Sequence, residues 1–306
     1  MIRYLSLRVL LAIPALWLIV TMVFMMVHIV PGDPVQQMLG EGARAQDLQQ
    51  LRHSLGLDLP IPVQYEHYVI GVLHGNFGES FRFQQPVAKV VLEHFPATLE
   101  LAFVALLVCL AISIPAGILA AHRRGTAADH AVGVFTLLGL SVPNFALGPV
   151  LILLFSVLLG WLPVSGRGGV GHLVLPAITL GAALAAILTR MVRTSVIEEL
   201  SSDYVRTARA KGLSEAAVLF RHAFRNALIP ILTVVGLQFG TLLAGTIVTE
   251  TIFSWPGIGR LTVQAIEARD YPLLQGCILL IAFSYVAVNF LTDVVYVFVD
   301  PRVKMQ

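Results

Sequence analysis

The sequence predicts an all-α polytopic membrane protein of six transmembrane helices with both termini in the cytoplasm. Three observations predict it. Of 306 residues, 57% are hydrophobic and only 12% charged, with mean hydropathy +0.83; ordinary soluble domains carry about 25% charged residues. Six apolar stretches approach or reach the roughly 20 residues needed to cross hydrocarbon. Most of the 20 lysines and arginines fall in segments that six crossings place on one side, the side that positive charge marks as cytoplasmic.

The first span is 9–30, preceded by Arg3 and Arg8. It exceeds the roughly 7–15 residues of a signal-peptide core, and no small-x-small cleavage site follows, so it reads as a retained span. The second is 98–121, and the third is 131–159, interrupted by Pro143-Asn144. The fourth, 173–189, is the weakest because Pro176 falls near its start. The fifth is 227–249 and the sixth 273–299. The charge argument rests on Arg3 and Arg8, on Arg123 and Arg124, on Arg190 to Arg225, and on Arg302 and Lys304.

Residues 31–97 form a long external segment that opens with the turn signal PGDP. Leu48, Leu51 and Leu55 suit one short amphipathic helix over 45–57. Phe77, Phe81, Phe83 and Phe95 need an apolar surface to cover, which favours a small cap over the external mouth rather than a loose appendage. The chain thus divides into 1–97, the first helix plus cap, and 98–306, a five-helix core containing a loop at 190–226. The second external loop, 160–172, has a Gly-rich tip but no Lys-Ser/Thr ending and no preceding strand, so it is no phosphate loop; Trp161 reads as an interfacial anchor. The third external segment, 250–272, places Ile258, Leu261, Ala265 and Ile266 on one helical face after a Trp-Pro-Gly turn.

Catalytic chemistry finds no support. The cysteines, Cys109 and Cys277, lie in apolar runs without a CxxC pair, and the nine histidines show no ligand spacing, so no metal site is read. Asp293 lies in the sixth span about two turns from its end, where an unpartnered charge costs about 3 kcal/mol. With Tyr285, Asn289 and Tyr296 it makes a polar face: either a pathway wall or a seam against another helix. Glu100, Glu250 and His28 sit at span ends and read as solvated or capping. No file of buried carboxylates or histidines supports a proton relay.

The loop carries the densest charge: Arg206, Arg209, Lys211, Arg221 and Arg225 within SSDYVRTARAKGLSEAAVLFRHAFRNALIP, 201–230. Ser201-Ser202-Asp203 is an N-cap cluster. Residues 203–211 form helix up to Gly212, which suits the left-handed position after a helix. Ser214-Glu215 starts a second helix that ends before Asn226 and Pro230. Short Ala208 and Ala210 let another surface approach, and Arg206, Arg209 and Lys211 offer it charge. Composition alone allows equally a solvated basic loop or one against anionic lipid.

This loop resembles the cytoplasmic EAA loop of bacterial ABC-importer permeases, in the version of the dipeptide/oligopeptide/nickel branch. Gly212 matches the family glycine. Arg206-Thr207-Ala208 stands where EAA stands, with only Ala208 literal; Glu215-Ala216-Ala217 is a coincidence, and the motif proline is displaced to Pro230. The remaining matches span the chain: HIVPGDP, LGLDLPIPVQY, FGES, FPATLEL, SVPNFALG, LPAITLG, ETIFSWPGIGR, RDYP and DPR.

The resemblance implies a type I importer permease in the bacterial inner membrane, forming half of a pathway with a second homologous permease. Two cytoplasmic subunits would bind ATP and Mg, and a periplasmic or lipid-anchored binding protein would deliver solute. Tyr204, Arg206, Thr207, Ala208, Ala210, Lys211 and Gly212 would couple to the ATPases, and Tyr285, Asn289 and Asp293 are candidates to line the pathway. The chain has no GxxxxGK[ST], so ATP chemistry belongs to partners; it carries no cofactor, is no enzyme, and has membrane lipid but no nucleic acid among its partners. Di- or oligopeptides are the expected cargo, with glutathione or nickel chelates as alternatives. A stand-alone secondary transporter, or a structural or receptor protein, are the rivals of other classes.

Overall fold

The computed structural model describes residues 2–29, 35, 44–54 and 56–299. The PGDP turn at 31–34 and the terminal DPR lie outside the described residues. Regular structure among the described residues is helical, with one isolated antiparallel bridge between Glu79 and Pro86. Five helices are long and apolar enough to cross a membrane, and a bent pair makes a sixth crossing if counted as one.

The helices are α1 (Ile2–Ile29), α2 (Ala45–Ser54), α3 (Ile61–Leu73), α4 (Val87–His122), α5 (Ala127–Ser141) and α6 (Asn144–Leu151, continued π-helically by Ile152–Leu158). Then come α7 (Val170–Leu200) and α8 (Asp203–Ala210). Helix α9 joins Glu215–Ala217, a π-helical stretch Val218–Ala223 and Phe224–Gly245. The last are α10 (Ile247–Ile252), α11 (Ile258–Glu267) and α12 (Tyr271–Val299).

Proline shapes most of the boundaries, at the expected break in the third span and at several that differ from the sequence expectation. The third span breaks by 104° between α5 and its continuation, because Pro143 forces Val142 into extended backbone (φ −88°, ψ 115°). Pro96, Pro115 and Pro176 instead lie inside α4 and α7. Each removes one helical hydrogen bond, which packing against neighbouring helices makes tolerable; Pro176 is buried among fourteen buried residues of α7. The second loop helix does not end before Asn226: it forms the first turns of α9. Among its described residues the cap segment holds two helices, where the sequence reading expects one. Helix α3 starts at a proline, which at the first helical positions initiates a helix.

Helices α4 and α7 run parallel, and α9 runs antiparallel to both. Ala97, Leu101, Ala102 and Ala105 of α4 meet Leu173, Ala177 and Leu180 of α7, with Leu242, Leu243, Trp255 and Val288 closing the layer. Nearer the loop, Cys109, Ile118 and Ala121 meet Ala185, Leu188, Val192 and Val196 over Leu219, Ala227 and Ile231. Lipid supplies no hydrophobic drive between helices, so small side chains that permit close contact carry the association. Large apolar side chains remain outside, among them Leu10, Leu11, Trp17, Met22, Leu137, Leu138 and Leu158, as a hydrocarbon environment requires.

Helix α1 attaches through α12: Gln275 donates to the Val23 carbonyl at 3.1 Å, and Arg8 lies 3.2 Å from Asp293. Helix α3 then packs on α1, with the Thr21 and Tyr65 hydroxyls 2.7 Å apart and Phe24 edge-on to Tyr65. The bundle therefore has a loop end, carrying 123–126 and 201–214, and a cap end, carrying 75–86, 160–169 and 253–270. At the cap end Phe77, Phe83 and Phe95, though not Phe81, pack on the cluster of Val87, Val90, Ile258, Leu261 and Leu273.

Candidate functional site

At the loop end, α7 runs to Leu200, α8 occupies Asp203–Ala210, and the chain reverses at Gly212, whose φ of +79° is a left-handed conformation. A glycine there carries no Cβ penalty. Ser202 sits at the N-cap of α8, but its hydroxyl donates back to the Glu199 carbonyl, so the expected serine cap does not form. Ser214 does cap, accepting from the Ala217 N–H at 3.3 Å.

Arg209 makes two bonds to Glu215, at 2.8 and 3.2 Å, across the Gly212 turn. It is a staple of the turn rather than charge held out to a partner. Arg206 pairs with Asp203 at 3.3 Å with both side chains almost fully in solvent, so this pair adds little. The Tyr204 hydroxyl donates to Glu199 at 2.5 Å, and burial, followed by that carboxylate, pushes the hydroxyl pKa up.

Of the candidate coupling residues, Tyr204, Arg206, Thr207, Ala210, Lys211 and Gly212 are exposed. Ala208 is the exception. With Val205 it is buried against Leu200, Val218 and Ala223 of the same chain, so its small side chain seats α8 on the foot of α9.

On α12, Tyr285 is half-exposed with its ring near Gly240, and Asn289 is partly exposed. Asp293 is paired with Arg8 of α1 at 3.2 Å and keeps 20% side-chain exposure.

The cap end is organised by two carboxylates. Glu250, expected in water, is completely buried. One oxygen accepts from the Thr98 hydroxyl at 2.8 Å and the Thr246 hydroxyl at 2.9 Å; the other accepts from the Arg260 N–H at 2.9 Å. Burial pushes its pKa up, and the donors, with the Gly259 N–H, oppose the rise. A Cβ on Gly257 would lie 2.3 Å from this carboxylate, which is why glycine follows Trp-Pro.

Asp270, also fully buried, caps α12 through the Leu273 N–H at 3.1 Å and accepts from the Ser80 hydroxyl at 2.5 Å and the Arg82 N–H at 3.1 Å. At the same end Arg167 lies 2.6 Å from Glu100 and 5.7 Å over the Trp255 ring; Glu100 is thus paired as well. Asp270→Ala removes a cap worth about 1–2 kcal/mol and takes the acceptor from the Ser80 hydroxyl, which itself accepts from the Phe83 N–H. Hydrogen exchange at residues 78–86 should accelerate, and unchanged protection there would deny Asp270 the role of clamp.

A third polar centre was missed entirely. Asp129 meets Arg193 through bonds of 2.7 and 2.9 Å and accepts from the Gly125 N–H at 3.0 Å. The two lie 64 residues apart, and Arg193 registers in the sequence only as a topology charge.

Comparison with known proteins places this geometry. Residues 113–305 match the model of the family described as "Binding-protein-dependent transport system inner membrane component", and residues 1–102 match its N-terminal companion. The chain belongs to this family. It is a multi-pass inner-membrane permease. It is 45% identical to the "Di/tripeptide transport system permease protein DppB" of Pseudomonas aeruginosa (strain UCBPP-PA14), with 100% of each chain covered. It is 43% identical to the "Glutathione transport system permease protein GsiC" of Escherichia coli (strain K12), with 99% of each covered.

Among solved structures the permease is similar to an inward-facing MetNI methionine ABC transporter (TM-score 0.58, 18% identity), covering 69% of this chain and 96% of that one. It is also similar to an amino acid ABC transporter with histidines (TM-score 0.52, 14% identity), covering 70% and 94%. At these identities the likeness shows the fold, that of type I importer permeases.

Proposed function

We propose that the chain is one of two permease subunits forming the translocation pathway of an ATP-driven importer for di- or oligopeptides. The single observation that carries this reading is the loop end: a short helix stapled by Arg209–Glu215, turned at Gly212 and fused into α9, with a polar outward face, in a member of this family. The loop end and termini are cytoplasmic on the charge argument. Two ATPase subunits, which hold ATP and Mg, bind over Tyr204, Arg206, Thr207, Ala210, Lys211 and Gly212, with Ala208 seating the helix beneath. Because α8 is packed on α9, closure of the ATPases moves the spans and shifts the inward-open and outward-open populations.

The binding protein docks at the cap end, and Tyr285 and Asn289 remain pathway candidates on α12. The division at 1–97 and 98–306 separates the cap-bearing part from the coupled core. Peptide cargo rests on the 45% relative, and glutathione is the second reading because a 43% relative is named for it. Reconstitution with the partner permease, ATPases and binding protein decides among them: labelled dipeptide should enter proteoliposomes only with ATP. Uptake of glutathione or a nickel chelate instead would replace the cargo, and uptake by this chain alone would make it a secondary transporter.

A further inference from the structure

We propose that Glu250 is a positioning residue of the transport cycle: its carboxylate, accepting at both oxygens, seats α11 on the side of α4 and the end of α9, so that the cap end meets the binding protein as a preformed surface. The inference rests on the reading that the binding protein docks at this end.

Helix α11 lacks a side-chain cap of its own, since its N-cap is Gly257. Its first-turn donors are satisfied from other elements. The Ile258 N–H donates to the Thr98 hydroxyl at 2.8 Å, and that hydroxyl passes its proton toward Glu250 at 2.8 Å. The Arg260 N–H goes to Glu250 directly. A carboxylate here also faces the positive end of the helix dipole, which offsets its charge without a cation. Space is reserved for it: besides Gly257, a Cβ on Gly259 would lie 2.6 Å from the Ile247 backbone.

Trp255 adds a second fastening, donating to the Ala97 carbonyl at 2.8 Å, one residue from Thr98. What this seating fixes in space is the far end of α11. Ile266, Glu267, Ala268 and Arg269 are exposed, while Ile258, Leu261, Thr262 and Ala265 are buried. Ile266, expected on the buried face, is 57% exposed and stands on this rim.

The test uses the complete reconstituted importer. E250Q keeps the shape but sets an amide N–H against groups that are themselves donors. The binding-protein concentration that half-saturates ATP-driven uptake should rise about tenfold, the effect of one charge-assisted hydrogen bond, with the maximal rate little changed. Half-saturation equal to wild type would overturn the proposal.

Should E250Q fail to assemble, Thr98→Val compared with Thr98→Ser tests the same contact. Valine should raise half-saturation and serine restore it, and identical values for the two would overturn the proposal. A cysteine at Glu267 in the otherwise native importer should cross-link to the binding protein. Failure of that cross-link sinks the docking reading itself, independently of Glu250.

Discussion

Gly212→Val should leave the permease inserted in the membrane and deprive it of its ATPases. At φ +79° a side chain of any L-residue is strained, by about 1–2 kcal/mol for an ordinary residue and more for a β-branched one. Nothing lies within 4 Å of the position a Cβ would take, so no clash confuses the result: the effect is on the backbone alone. Relief of the strain turns α8 away from α9 and separates Arg209 from Glu215. Co-purification of the ATPases and ATP-driven uptake should each fall by about tenfold or more, the factor that 1–2 kcal/mol approaches. Gly212→Asn, which tolerates the left-handed conformation, should recover most of both. Charge reversals divide likewise: Arg209→Glu faces Glu215 and should uncouple strongly, while Arg206→Glu disturbs only a solvated pair. Wild-type uptake with valine at 212 would remove the docking assignment.

That turn was legible in the sequence because its cause is local. Glycine before a helix start has one dominant conformational meaning, and apolar length has one dominant meaning in a chain of this hydropathy. The break at Pro143 belongs with them. The fused α9 was not legible, since Asn226 and Pro230 are locally helix-ending and only packing of Ala223, Ala227 and Ile231 against neighbouring helices overrules them.

The carboxylates show the limit more sharply. Glu250, Asp270 and Asp129 each stand near a helix end, where local reasoning assigns water. Their donors come from residues 98, 80 and 193, and no spacing rule connects those numbers. The WPGIG run announced a turn correctly, but the reason for its glycines is the buried carboxylate beside them. Asp293 is the converse case: its cost in the membrane suggested a pathway, and the partner that removes the cost sits on the first helix.

Asp129→Ala should be the most destabilising single change at the loop end. The Asp129 side chain is 9% exposed and receives both forks of Arg193 and the Gly125 N–H. Removing one partner of a buried pair costs about 3–5 kcal/mol because the other charge is left unpaired. Arg193 keeps 35% exposure and gains water in compensation, which sets the expectation at the lower bound, about 3 kcal/mol. Arg193→Lys retains the charge but not the two-pronged geometry and should fall between.

The pair joins the start of α5 to α7, two turns before α7 gives way to α8, the helix proposed to dock the ATPases, so stability and coupling should decline together. Thermal unfolding of the purified importer in detergent, with uptake measured in parallel, reads both. The double Asp129→Ala/Arg193→Ala variant should be more stable than the sum of the single losses, since it leaves no orphaned charge. Strict additivity would mean that the two side chains act independently, and that α5 and α7 are joined there by something other than this pair.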